Sequence, residues 1–101
     1  MSMSRRLELS TILHELCDNV YYQPPPSYRI KFPCIIYERR TGDTLYADNY
    51  PYHVETCYTI TVIDSNPDSE IPDKVGLLQK CKFDRTFSVE NLYHHVFILY
   101  Y

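Results

Sequence analysis

Residues Leu92 to Tyr101 constrain the fold more than any other stretch of the chain. Leu92, His94, Val96, Ile98 and Tyr100 share one parity, while Tyr93, His95, Phe97, Leu99 and Tyr101 share the other. In a strand the two parities face opposite ways, so both faces of this strand are apolar and both must be covered. Left on the rim of a sheet, such a strand would recruit strands from other chains. The sequence therefore demands a sheet in which this strand is central or covered, by its own domain or by a neighbouring subunit.

The remaining strands follow from it. Cys81 to Phe87 alternates as Cys81, Phe83, Arg85, Phe87, and Ser88 to Asn91 supplies a turn, which predicts an antiparallel hairpin with the last strand. His53 to Asp64 is the clearest strand, with Val54, Tyr58, Ile60 and Val62 on one face and Glu55, Cys57, Thr59 and Thr61 on the other. Pro33 opens another strand over Cys34 to Arg40, which Thr41-Gly42-Asp43 is expected to end. Val20 to Gln23 is a short extended segment, followed by Pro24-Pro25-Pro26. Three prolines fix φ and remove donors, so this stretch reads as a stiff surface connector.

Two helices complete the pattern. Leu9, Ile12, Leu13 and Leu16 recur at i, i+3, i+4 and i+7 within Arg5 to Asp18, with Arg5, Arg6, Glu8 and Glu15 on the wetter side. Ile71 to Gln79 forms the second, with Ser69 and Pro72 suited to its start and Glu70 and Asp73 at the positive end of its dipole. The predicted order is α-β-β-β-α-β-β. This is an α+β fold, a mostly antiparallel sheet with an N-terminal helix and a second short helix packed on one face. At 101 residues the chain makes a single domain, residues 1–101. A domain of this size buries only about 60–65 % of its unfolded surface, which leaves room for subunit contacts to add stability.

Composition narrows the function. Two glycines leave no Gly-rich phosphate loop, and a net charge of −3 argues against a duplex-DNA binder. No apolar run approaches the roughly 20 residues that span a bilayer, and none behind Arg5-Arg6 resembles a secretory leader. The cysteines Cys17, Cys34, Cys57 and Cys81 contain no C-x-x-C and are expected to be reduced and mostly buried. His94 and His95 are adjacent on a strand, so they point to opposite faces and cannot share a metal. Convergence of Cys57, Cys81 and His94 on a metal, or of Cys57 and His95 as a nucleophile pair, is the weaker alternative. No metal, cofactor or catalytic residue is assigned.

Eleven of the fifteen aromatic residues are tyrosine, a side chain that gives large contact area with one polar end and is enriched at interfaces. The polar-aromatic stretch Thr44 to Tyr52 has no period and reads as a contact loop. The candidate interface residues are Tyr46, Asp48, Asn49, Tyr50 and Tyr52, together with Tyr28, Arg39 and Arg40. The residues favour an assembly or interaction protein over an enzyme.

Several stretches together carry a resemblance: Phe32-Pro33-Cys34-Ile35-Ile36-Tyr37-Glu38-Arg39, Ala47-Asp48-Asn49, Tyr58-Thr59-Ile60-Thr61-Val62-Ile63-Asp64, Asn66-Pro67-Asp68-Ser69, and Phe83-Asp84-Arg85 in the final hairpin. In these, and in the order of elements from about Leu7 onward, the chain resembles the tail-terminator, or tail-completion, proteins of long-tailed bacteriophages, also described as minor capsid or neck proteins. The resemblance implies a homohexameric ring on the head-proximal end of the tail tube, in the virion, assembled in the host cytoplasm. The implied partners are further copies of the chain, the tail tube protein and the head-side connector. DNA would pass the lumen without specific binding, which suits six chains at −3 carrying −18 together. No catalytic residues are implied. One ring patch is expected on the exposed face of the first helix and the other on the Tyr46–Tyr52 loop. A different neck component is the nearest alternative.

Overall fold

The computed structural model describes residues 5–46 and 54–101. Their order is α1 (Arg5–Leu16), β1 (Val20–Tyr22), β2 (Cys34–Tyr46), β3 (Val54–Asp64), α2 (Ile71–Gly76), β4 (Cys81–Val89) and β5 (Leu92–Tyr100). The five strands form one mixed, mostly antiparallel sheet in the order β1-β2-β3-β5-β4. β5 is flanked by β3 and β4, so it is an inner strand as expected, while the helices cover only one of its two apolar faces. The α+β class and the element order are as the sequence predicts. Among the described residues, no helix is long and apolar enough to cross a membrane.

Both helices cover one face. Leu9 and Leu13 of α1 and Val75 of α2 are fully buried against Ile35, Tyr37, Tyr58, Ile60, Val62, Phe97 and Leu99. The register explains the selection, because Ile35 lies opposite Val62, Tyr37 opposite Ile60, Tyr58 opposite Leu99, and Ile60 opposite Phe97. These residues share one sheet face. Cys34, Cys57 and Val96 lie on the other face and are buried as well.

Two of the eleven tyrosines, Tyr37 and Tyr58, are core residues. Tyr37 is 1 % exposed, packs 4.8 Å from Tyr22 and 6.0 Å from Tyr58 between ring centroids, and its hydroxyl accepts a hydrogen bond from Arg6 at 3.3 Å. The Arg6 guanidinium also lies over the Tyr22 ring at 4.5 Å, and that of Arg5 over Tyr101 at 4.9 Å. The two arginines placed on the wet side of α1 therefore clasp the helix to the sheet through cation–π contacts. Their alkyl stems follow the protein surface while the charge remains near water.

Three local expectations are corrected. β2 does not end at Thr41-Gly42-Asp43 but runs to Tyr46, with its register against β3 shifting between Arg39 and Thr44. An irregularity in the ladder absorbs the turn-forming residues. α2 ends at Gly76 rather than Gln79, and the N–H of Leu77 closes its last turn on the carbonyl of Lys74 at 3.2 Å. In β4 the alternation breaks at Asp84: Phe83 lies opposite Phe97 but Arg85 lies opposite Val96, so Asp84 is one extra residue. The bulge sends Arg85 and Phe87 to the face opposite Cys81 and Phe83. Glu90 and Asn91 both have positive φ, 53° and 66°, the geometry of a two-residue hairpin turn.

Candidate functional site

The two outer edges of the sheet differ in chemistry. At the β1 edge, residues 23–33 join two parallel strands, with Val20 opposite Ile35 and Tyr22 opposite Tyr37. The connection is fixed at several points. The Tyr28 N–H donates to the Pro25 carbonyl at 2.9 Å, the Lys31 N–H donates to the Tyr21 hydroxyl at 3.2 Å, and Asn19 Nδ2 donates to the Pro33 carbonyl at 3.0 Å. Tyr28 meets Tyr21 edge-on at 5.4 Å. Tyr21 faces away from the helices, so the connection passes over the open face of the sheet. The loop holds Tyr28 and Phe32 at 54 % and 45 % exposure, beside the exposed Arg29 and Lys31.

At the opposite edge, β4 is exposed along nearly its whole length. Between it and α2 runs a groove of about 760 Å³, lined by Asp68, Asp73, Leu77, Phe83, His95 and Phe97, among others. Its size falls in the range of binding clefts. Its walls contain the most exposed large apolar side chain described, Leu77 at 85 %, together with Phe83 at 53 %. Asp68 and Asp73 form an acidic rim, and among the described residues neither carboxylate has an ion pair. The loop leading into α2 is shaped locally: the Asn66 N–H donates to Asp64 Oδ1 at 2.9 Å and the Asp68 N–H to Asn66 Oδ1 at 3.0 Å. A smaller pocket of about 370 Å³ separates α1 from the start of β4, between Arg5, Leu9, Leu78, Lys80 and Tyr101.

The residues weighed for chemistry are held apart. Cys57 lies opposite Tyr100 on the open face and Cys81 opposite Leu99 on the helix face, so the sheet separates them. His95 is on the helix face, opposite Val62, and cannot pair with Cys57. His94 shares the open face with Cys57 but lies opposite Ile63, six positions along β3, or about 20 Å away. Among the described residues no group of three or more His, Cys, Asp or Glu side chains is placed to hold a metal. No disulfide joins the four cysteines. Burial pushes the Cys34 thiol up to about 12 and that of Cys81 up to about 11. Burial also raises Cys17, partly opposed by its hydrogen bond to the Asn19 carbonyl. These thiols stay protonated at neutral pH and lack the thiolate a nucleophile needs.

Of the candidate interface residues, Tyr28 is exposed on the β1 edge and Arg39 is exposed on β2. The backbone N–H of Arg39 donates to Gln23 Oε1 at 3.2 Å, which ties β2 to the same connection. Arg40 is half-buried. Tyr46 pairs with Val54 at the end of β2. Asp48, Asn49, Tyr50 and Tyr52 lie outside the described residues. Sequence reasoning missed the groove. Its one signal is the Leu77-Leu78 pair, because two adjacent leucines at a helix end cannot both face the core. No family model matches the chain, nor does any curated protein or solved structure.

Proposed function

We propose that this chain is a tail terminator of a long-tailed bacteriophage: a structural protein, without catalytic role, that closes into a ring on the head-proximal end of the tail tube. The ring ends tube polymerisation and presents a surface to the head-side connector, with DNA passing through its lumen. The observation that carries this reading is the pair of open sheet edges. A chain that keeps its Cys and His groups apart leaves Leu77 and Phe83 exposed at one edge and Tyr28 and Phe32 at the other. Exposed apolar side chains gathered in this way mark interaction surfaces. A closed ring needs two different patches on each subunit, repeated by rotation. The resemblance carried by Phe32 to Arg39, Tyr58 to Asp64 and Asn66 to Ser69 supplies the setting.

Deleting the gene from its phage and imaging the lysate by electron microscopy tests the reading. Overlong tail tubes beside tailless, DNA-filled heads are expected, because length control and joining fail together. Tails of normal length that stay unattached would place the chain among the head-side neck proteins instead. Intact, infectious virions would overturn the structural reading altogether.

A further inference from the structure

The two exposed edges are complementary in charge as well as exposed. Residues 23–33 contain Arg29 and Lys31 and no acidic residue. Residues 65–73 contain the exposed Asp68, Glu70 and Asp73 and no basic residue. The basic segment joins β1 to β2, and the acidic one leads into α2 beside β4. Four strand spacings, about 19 Å, separate β1 from β4, so the two patches cannot meet within one chain. They can meet between two chains.

We propose that the groove between α2 and β4 of one copy receives the 23–33 loop of the next. Tyr28 and Phe32 enter over Leu77 and Phe83, while Arg29 and Lys31 face Asp68 and Asp73. The chemistry fits the occupant on three counts. The groove, at about 760 Å³, takes aromatic side chains, and its floor is itself aromatic at Phe83 and Phe97. The rim charges oppose those of the loop, which steers encounter and fixes register. The loop is tied down by the Tyr28–Pro25, Lys31–Tyr21 and Asn19–Pro33 hydrogen bonds, so little ordering is lost on docking. The contact joins unlike surfaces on opposite edges, and its repetition closes a ring when the rotation allows. This inference rests on the ring reading above and names the two patches it needs.

The test is disulfide trapping with the full chain, on tail tubes prepared from the deletion strain. One preparation carries Tyr28→Cys, a second carries Leu77→Cys, and both positions are exposed enough to tolerate the change. Mixed under mild oxidation, they are expected to give a cross-linked dimer that neither preparation gives alone. A chain carrying both substitutions is expected to give a ladder that stops at the ring number. As a second measurement, Asp68→Lys with Asp73→Lys is expected to weaken self-association at least about tenfold, as is Arg29→Glu with Lys31→Glu. Combining all four in one chain is expected to restore it. If an amine-reactive cross-linker captures multimers but the 28–77 link never forms and the charge swap restores nothing, the docking is wrong and the ring stands. If neither chemistry captures multimers on the tubes, the ring reading falls and the docking falls with it.

Discussion

β4 and β5 are the two arms of one hairpin, nine residues each, yet they live in different environments. β5 is paired on both sides, has the helices over one face, and buries Val96, Phe97 and Leu99. β4 is paired on one side only, lies partly beyond the reach of α2, and leaves Phe83, Phe87 and Val89 exposed. Both arms contain phenylalanine and β-branched residues suited to strands, so local preference does not separate them. What separates them is the supply of neighbours. The same side-chain types stabilise the fold in one arm and are left open to solvent in the other.

This contrast is sharpest at the centre of the sheet. Ile60 is fully buried on β3, between β2 and β5, and its replacement by alanine removes three methyl or methylene groups from a closed core. Ile60→Ala is expected to destabilise the fold by about 2–5 kcal/mol, read from denaturant midpoints. A cost below about 1 kcal/mol would mean that the centre of the sheet is no better covered than its edge.

The buried and half-buried thiols give a second measure. Cys34 in β2 and Cys81 at the start of β4 are held at about 12 and about 11, against an ordinary value of 9.0. Between the ordinary and raised values the unfolded chain has lost these protons and the folded chain keeps them. Stability from this source is therefore full below pH 9.0 and is lost as pH rises toward 11 and 12. Denaturant midpoints should be flat near neutrality and fall above pH 9, and Cys34→Ala should reduce the slope. An unchanged midpoint at pH 10.5 would show that the core admits water to these groups.

The smallest effect is expected at the rim. Leu77→Ala should change stability by no more than about 0.5 kcal/mol, since the side chain is 85 % exposed. A loss above about 1 kcal/mol would assign Leu77 to the fold rather than to a partner.

Much of this architecture was legible in the sequence because it depends on local period. The stripe Leu9, Ile12, Leu13, Leu16 and the alternation of Tyr58, Ile60 and Val62 report their own burial, and the central place of β5 follows from its two apolar parities. What was not legible depends on partners distant in the chain. The parallel pairing of Val20 with Ile35 has no local signature. The continuation of β2 beyond Gly42 rests on the pairing of Thr44, Leu45 and Tyr46 with Thr56, Glu55 and Val54, which no local signal shows. The burial of Tyr37 was not legible, because composition cannot say which tyrosines find an inner partner, here Tyr22 and Arg6. For the candidate surface, Tyr28 was among the candidate residues named from the sequence, whereas the groove required α2 and β4 to be brought side by side.

The extra residue at Asp84 has a consequence for the open edge of the sheet. An outer strand offers another chain a row of donors and acceptors, and a regular row extends without limit. Asp84 puts that row out of step near its middle, with Lys82 and Arg85 placing charge on either side. An incoming strand can match a few residues before or after the bulge but not both halves at once. The edge thus resists open-ended growth by strand addition, even though its side chains stay exposed.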